Sequence, residues 1–255
     1  MCKIVEHASH VLMSVTKLMS RIVPPSNLDD KAAHDHTFGI NADPLTRFAC
    51  AFSALIHDVD HLGVSNAQLV KDGVPLAKKY NDKSVAEQNS LDISWDILMQ
   101  PDYKDLRAQL FQTHDDLVRF RQLVVNVVMA TDIVDADLKM LRNNRWQKAF
   151  SSNKEGSQRE SDKDQNDRKA TIILEHIIQA SDISHTMQHW FVYRKWNENL
   201  FNELYVAYLD GKLDKDPATF WYKGEIGTES WLRFGLAYKS SLNLASDAVA
   251  FILQS

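Results

Sequence analysis

Ala54-Leu55-Ile56-His57-Asp58-Val59-Asp60-His61-Leu62-Gly63 sets four groups able to bind or polarise a metal ion within five consecutive residues, His57 to His61. Just before them, Phe48, Phe52, Leu55 and Ile56 recur at helical spacing, so the stretch reads as the end of a buried helix. An imidazole beside a carboxylate at such a helix end is half a metal site, because two ligands hold a divalent ion poorly. The rest of the chain must supply the others.

Outward from this stretch, the chain reads as helices. Asp43-Pro44 offers an N-cap and a first-turn proline to the helix that carries it. Upstream, Ile4, Ala8, Val11, Leu12, Val15, Leu18, Met19 and Ile22 form one apolar stripe that Pro24-Pro25 ends. At about 100° per residue His7 lies at the edge of that stripe and His10 further toward the polar side. Residues 26–42 are polar and read as a loop. Downstream, Ser84-Val85-Ala86-Glu87 reads as a capping box opening a helix through Met99. Leu117, Phe120, Val124, Val127 and Val128 make another stripe, running into Ala130-Thr131-Asp132.

Residues 151–169 are strongly polar and read as a mobile surface loop inserted in one domain. After it, Ile173, Leu174, Ile177 and Ile178 lead into Ala180-Ser181-Asp182-Ile183-Ser184. An amphipathic stretch with Trp190, Tyr193, Trp196, Leu200, Phe201, Leu204 and Tyr208 then runs to Asp210-Gly211, its aromatic residues expected in the core. With 8 Gly and 6 Pro in 255 residues there is little turn material for a many-stranded sheet. The expected fold is all-α.

Composition narrows the function. A net charge of −5 gives no electrostatic footprint for nucleic acid or an anionic membrane. No apolar run approaches the roughly 20 residues of a membrane span, and the N-terminus lacks a signal peptide's apolar segment. Cys2 and Cys50 make no disulfide framework, so a reducing, cytoplasmic setting is the simplest reading.

His7, His57, Asp58 and Asp182 come from three helices, each at or near an apolar face. Two imidazoles and two carboxylates suit zinc or a neighbouring first-row ion with positions left open to water. A carboxylate beside that ion can reach a second, harder ion such as Mg2+ or Mn2+. Each residue taken singly has an ordinary explanation: a core-edge histidine for His7, a helix-end ion pair for His57-Asp58, a capping partner for Glu87, and a helix end for Thr131 and Asp132. His185 and His189, four apart on one helix, suit a metal or a solvated face equally.

The ordered motifs carry more than the single residues. Glu6-His7-Ala8-Ser9-His10-Val11, His57-Asp58-Val59-Asp60-His61-Leu62-Gly63, Tyr80-Asn81-Asp82-Lys83-Ser84-Val85-Ala86-Glu87, Ala130-Thr131-Asp132, Ala180-Ser181-Asp182-Ile183-Ser184 and Tyr193-Arg194-Lys195-Trp196 follow one another in the chain. In this series the chain resembles the catalytic domain of the class I 3′,5′-cyclic nucleotide phosphodiesterases, a branch of the HD-domain metal phosphohydrolases. The likeness runs from about residue 6 to 227. The wording is nearest to algal and protist members, including those fused to receptor-like cyclases.

The resemblance implies a compact multi-helix fold, here a single partial domain over residues 1–255, truncated at both ends relative to the family. It implies metal-dependent hydrolysis of cyclic GMP or cyclic AMP to the 5′-monophosphate in signal transduction. His7, His57, Asp58 and Asp182 match the protein ligands of the first, usually zinc-occupied site. Asp58 would also reach the second ion, Mg2+ or Mn2+. His61, Glu87 and Thr131 match groups that orient the metal-bound waters, and Trp196 joins the substrate-binding positions. Tethering to a cyclase or receptor at the cytosolic face of a membrane, and a homodimer, are compatible with the family.

Two departures matter. The family's first motif is His-Asn-x-x-His, whose leading histidine protonates the departing O3′; here Lys3 and Ile4 stand at those positions. A lysine with its ordinary pKa of roughly 10.4 is a poor general acid near neutrality. At the other end, Glu225 stands where the family has a purine-binding glutamine, and Thr228 where it has a phenylalanine clamp. A carboxylate there accepts from guanine's N1–H and 2-amino group, which favours cyclic GMP. The alternative expectation is a catalytically impaired, nucleotide-binding or regulatory module that keeps the ligands and lacks the general acid.

Overall fold

The computed structural model describes residues 2–150 and 162–221 of the chain. Among these there is no strand. The first half comprises α1 (Cys2–Met19), α2 (Asp30–His36), α3 (Pro44–Ile56), α4 (Asn66–Lys71), α5 (Pro75–Lys79) and α6 (Val85–Leu98). α7 (Lys104–Leu110), α8 (His114–Met129), α9 (Ala136–Phe150), α10 (Asp162–Asp182), α11 (Trp190–Leu209) and the short α12 (Ala218–Trp221) follow. The all-α expectation holds.

α3 is the central helix, and its sequence shows why. Ala49, Cys50, Ser53 and Ala54 are fully buried, so the helix presents small side chains that let α1 and α8 approach closely. Of the repeat Phe48, Phe52, Leu55 and Ile56 read from the sequence, α3 buries Ile56 and not the others. Phe48 and Phe52 lie on its flank against Phe120 of α8, at ring-centroid distances of 5.6 and 5.5 Å, and Leu55 faces out at 45% exposure. As expected, Asp43 caps the helix by accepting from the Leu45 N–H at 3.0 Å, with Pro44 in the first turn. Asp43 also pairs with Arg119 of α8, tying the N-terminus of α3 to its neighbour.

Around α3, helix faces close at the spacings their sequences carry. α1 buries Val11, Val15 and Met19, α8 buries Phe120, Val124, Val127 and Val128, and α10 buries Ile173, Leu174, Ile177 and Ile178. α1, α3, α8 and α10 thus share one core, which α9 flanks. α11 departs from expectation. Among its described side chains only Asn197 and Ala207 are buried, and Trp190 and Phe191 are 54% and 73% exposed.

Two polar stretches read as loops contain helix. α2 lies within residues 26–42, where Asp29 accepts from the Ala32 N–H at 2.8 Å and supplies the cap. The loop expected over 151–169 is corrected for its second part: α10 begins at Asp162, and residues 151–161 lie outside the described residues. The segment has no proline or glycine between 162 and 169, and Gln165, Asp167 and Arg168 are exposed on the helix. Asn166 donates to Asp35, and the Lys169 ammonium sits 5.2 Å from the Phe38 ring. No described helix is long and apolar enough to cross a membrane.

Leu174, wholly buried at the α10 seam, gives a direct test of this packing. Leu174→Ala should lower unfolding free energy by about 2–5 kcal/mol, read by urea denaturation; a change within ±0.5 kcal/mol, the range of surface substitutions, would contradict a buried seam.

Candidate metal centre

Three helices deliver charged groups to one point. α1 presents His7, α3 is capped by His57 with Asp58 following, and α10 ends on Asp182. His7 Nε2 stands 2.9 Å from Asp182 Oδ1 and 3.6 Å from Asp58 Oδ2. His57 Nε2 stands 3.5 Å from Asp182 Oδ1 and 3.4 Å from Asp58 Oδ2. Ligands of a tetrahedral ion with bonds of about 2.0–2.2 Å lie roughly 3.3–3.6 Å apart. Three of the four separations already have that value, and the fourth is a hydrogen bond.

His57 shows why this cluster asks for a cation. It is buried at the C-terminus of α3, and its Nδ1 lies 3.0 Å from the Ala54 carbonyl, which assigns the proton to Nδ1. Nε2 is then an inward-facing acceptor, and it has no hydrogen-bond partner among the described residues. A buried acceptor aimed at two carboxylates is unfavourable unless a proton or a metal ion lies between them. Asp182 adds to the demand, because a carboxylate at a helix C-terminus faces the negative end of the helix dipole. His7, His57 and Asp58 place their ligand atoms within 4.8 Å of one another, and the donor set fits a divalent ion.

Without metal, a proton takes that role. Burial alone would lower the His57 pKa; the Asp182 carboxylate, then the charge of Asp58 and the Ala54 carbonyl, outweigh it and push the imidazole up to about 9. Asp182 moves oppositely. Burial raises its carboxyl, but the His57 and His7 imidazoles hold it far below the ordinary range.

The turn after His57 is built to hold this geometry. Asp60 takes a left-handed backbone, φ 61°, accepts from Asn89 Nδ2 at 3.1 Å, and so supports the helix end. Ser90 Oγ donates to the Val59 carbonyl at 2.7 Å. At His61, Nδ1 accepts from the Gly63 N–H at 3.2 Å, leaving the proton on Nε2 as an available donor.

Glu87 does not form the capping box that its sequence suggests. Ser84 sits left-handed at φ 38° with no side-chain capping bond, and its hydroxyl donates to Asp132 Oδ2 at 2.7 Å. Glu87 Oε2 instead accepts from Asn66 Nδ2 at 2.9 Å. Burial pushes the Glu87 carboxyl above its usual range; the Asn66 bond opposes this and the Asp132 charge adds to it. Thr131 spends its hydroxyl proton on the Val128 carbonyl at 2.7 Å, so it offers only lone pairs outward.

Asn66 is not singled out by its sequence, and Asp132, which closes the Ala130-Thr131-Asp132 motif, reads there only as a helix end. Asp132 is 5% exposed and accepts from Ser84, Asn66 and the Val134 and Asp135 N–H groups. Its carbonyl accepts from Arg142 of α9 at 3.0 Å. A second tie braces the same corner: Gln179 of α10 donates to the Ala130 carbonyl at 2.7 Å. Asn66 is an ordinary polar residue at a helix start, with no local signal to set it apart.

Trp196 lies edge-on to His7 at a ring-centroid distance of 5.5 Å and beside His10 and His185 at 5.6 and 5.8 Å. His185 and His189 are not on one helix: the first lies in a short 3-10 turn and the second caps α11. The side chain of Lys3, and all of Glu225 and Thr228, lie outside the described residues.

The sequence profile of the family described as 3′5′-cyclic nucleotide phosphodiesterase matches residues 5–216. The probable 3′,5′-cyclic-AMP phosphodiesterase pde-4 of Caenorhabditis elegans is 31% identical over 160 residues, 61% of this chain and 22% of that protein. The probable 3′,5′-cyclic phosphodiesterase pde-1 of the same organism is 29% identical over 161 residues, 63% of this chain and again 22% of the relative. The chain thus spans under a quarter of either relative's length. Among solved structures, the phosphodiesterase domain of the RhoPDE fusion protein from the choanoflagellate Salpingoeca rosetta superposes with a TM-score of 0.65. That match covers 98% of this chain and 73% of the other at 20% identity, a likeness of fold.

The His57 shift has a definite sign. Its folded pKa of about 9 exceeds the ordinary 6.5, so the imidazolium contributes stability in full below pH 6.5 and loses it as pH rises through 9. Thermal melts in chelator should therefore fall across that window, whereas His57→Gln should not show this loss. Zn2+ affinity, measured by competition with a chromophoric chelator, should rise over the same range as the proton leaves. Affinity that is flat with pH would contradict the assignment.

Proposed function

The chain belongs to the 3′,5′-cyclic nucleotide phosphodiesterase family, and on that premise we propose that it hydrolyses the 3′ phosphoester of cyclic GMP or cyclic AMP to the 5′-monophosphate in signal transduction. The observation that carries this reading is the convergence of His7, His57, Asp58 and Asp182, with the His57 Nε2 lone pair facing two carboxylates. We read residues 1–255 as one partial catalytic domain.

These four groups would hold a first divalent ion, zinc by their nitrogen and oxygen donors. Asp58 would share a second, Mg2+ or Mn2+, kept mostly by water. When bound, such ions supply an acidified water and positive charge at the phosphoryl oxygens. The remaining work falls to the chain. His61 offers an Nε2–H donor, Glu87 a carboxylate and Thr131 only lone pairs, a set that orients water by donation on one side and acceptance on the other. In-line attack on phosphorus expels O3′, which must gain a proton. Trp196 offers an apolar wall beside His7 for the nucleotide, and Glu225 would accept from guanine's N1–H and 2-amino group.

A second reading rests on Lys3, which stands where the family carries its proton donor. Loss of a general acid costs about 10²–10⁴-fold, so the domain would bind nucleotide and turn it over slowly or not at all. Nucleotide-induced stabilisation without product marks this reading; sustained hydrolysis excludes it. A setting in the cytoplasm, or tethering at the cytosolic face of a membrane, suits both readings. The Salpingoeca relative is named as part of a fusion protein, which supports a tethered arrangement. A homodimer is compatible with either.

Protein loaded with Zn2+ and Mn2+ should release 5′-GMP from cyclic GMP, detected by chromatography. Asp182→Ala should lower that rate by more than about 100-fold, beyond the 10–100-fold typical of outer-shell changes. Fully metal-loaded protein without any turnover of either cyclic nucleotide would exclude the enzymatic reading.

A further inference from the structure

Asn66, the first residue of α4, ties three groups together. Its Oδ1 accepts from the Ala86 N–H of α6 at 2.9 Å. Its Nδ2 donates to Glu87 Oε2 at 2.9 Å and to Asp132 Oδ2 at 3.3 Å. The amide orientation follows from its partners, since only the oxygen can face an N–H and only the nitrogen can face carboxylates. One carboxamide therefore satisfies an orphan N–H in the first turn of α6 and spans two carboxylates that would otherwise repel each other.

This explains why the capping box is absent. In that motif the Ser84 hydroxyl would accept from the Glu87 N–H while the Glu87 carboxylate reached back to the Ser84 N–H. Here Asp132 claims the Ser84 hydroxyl, Asn66 takes over an N–H of the helix start, and Glu87 is drawn sideways to Asn66. The left-handed backbone of Ser84, φ 38°, is the strained conformation that accompanies this diversion. Asp132 is itself fixed by the Val134 and Asp135 N–H groups, so the far end of the amide is anchored and the near end is set.

We propose that Asn66 is a positioning residue that diverts the Glu87 carboxylate from helix capping into the water-orienting set beside the metal centre. The proposal rests on the reading of Glu87 as part of that set. Among the described residues Asn66 bonds to Ala86, Glu87 and Asp132 and to none of the four proposed metal ligands, so it acts through Glu87.

A double-mutant cycle with a structural readout tests it. Asn66→Ala should lower kcat for cyclic nucleotide by about 10–100-fold, the range for outer-shell partners, with little change in KM. In a Glu87→Ala background the same substitution should cost nothing further, because its target is gone. Asn66→Asp keeps an acceptor for the Ala86 N–H and removes the donors facing the carboxylates, so it should fold and lose kcat as Asn66→Ala does. A crystal structure of either Asn66 variant should show the Glu87 carboxylate moved from its native position. Equal losses in both backgrounds, full activity of Asn66→Asp, or an unmoved Glu87 would each overturn the proposal. If the unaltered protein hydrolyses no cyclic nucleotide, the enzymatic reading fails, and the position of Glu87 in the variant structures still decides the role of Asn66.

Discussion

Two carboxylates and two imidazole nitrogens aimed at one point cannot rest together without positive charge among them, and the helix packing serves that requirement. The small side chains of α3 let α1 come close enough to set His7 against Asp58. α10 packs on both α1 and α8, which brings Asp182 to the same place. Burial then makes the requirement strict. In water the same four groups would be indifferent to one another, whereas around the buried His57 each unpaired lone pair carries a desolvation cost.

The polar networks around this point are arranged to keep helix ends still. Arg145 of α9 grips both oxygens of the buried Glu175 at 2.6 and 2.7 Å, one turn and more before Asp182 on α10. Arg142, on the same helix as Arg145, holds the Asp132 carbonyl, and Gln179 holds that of Ala130. Glu175 and Arg142 would be costly to bury singly, and as a connected set they link the end of α8 to the body of α10. Thr131 and Asp132, between these clamps, inherit a fixed position.

What could be read from residue order alone follows from how local each cause is. The helices around Val11 and Val15, around Phe120 to Val128 and around Ile173 to Ile178 declare themselves because periodicity is a property of a short window. His57-Asp58 was conspicuous for the same reason. On α3 the large side chains carry the apolar spacing, of which only Ile56 is buried, while close packing on both sides favours the small Ala49, Cys50, Ser53 and Ala54. Ser84 to Glu87 carries a capping pattern that fails because Asp132, 48 residues from Ser84, and Asn66, 21 residues from Glu87, compete for its two ends. No window of local sequence contains those competitors. Residues 162–169 read as loop because so polar a segment has no apolar period to show.

The 175 residues between His7 and its hydrogen-bond partner Asp182 also have a meaning in time. A chain emerging at about 5–20 residues per second exposes His7 roughly 9–35 s, and His57-Asp58 roughly 6–25 s, before Asp182 leaves the ribosome. Through that interval two imidazoles and one carboxylate are available without the group that closes the set. The set cannot close before α10 is made, and a metal ion held there would fasten α1 to α10 across 175 positions of sequence.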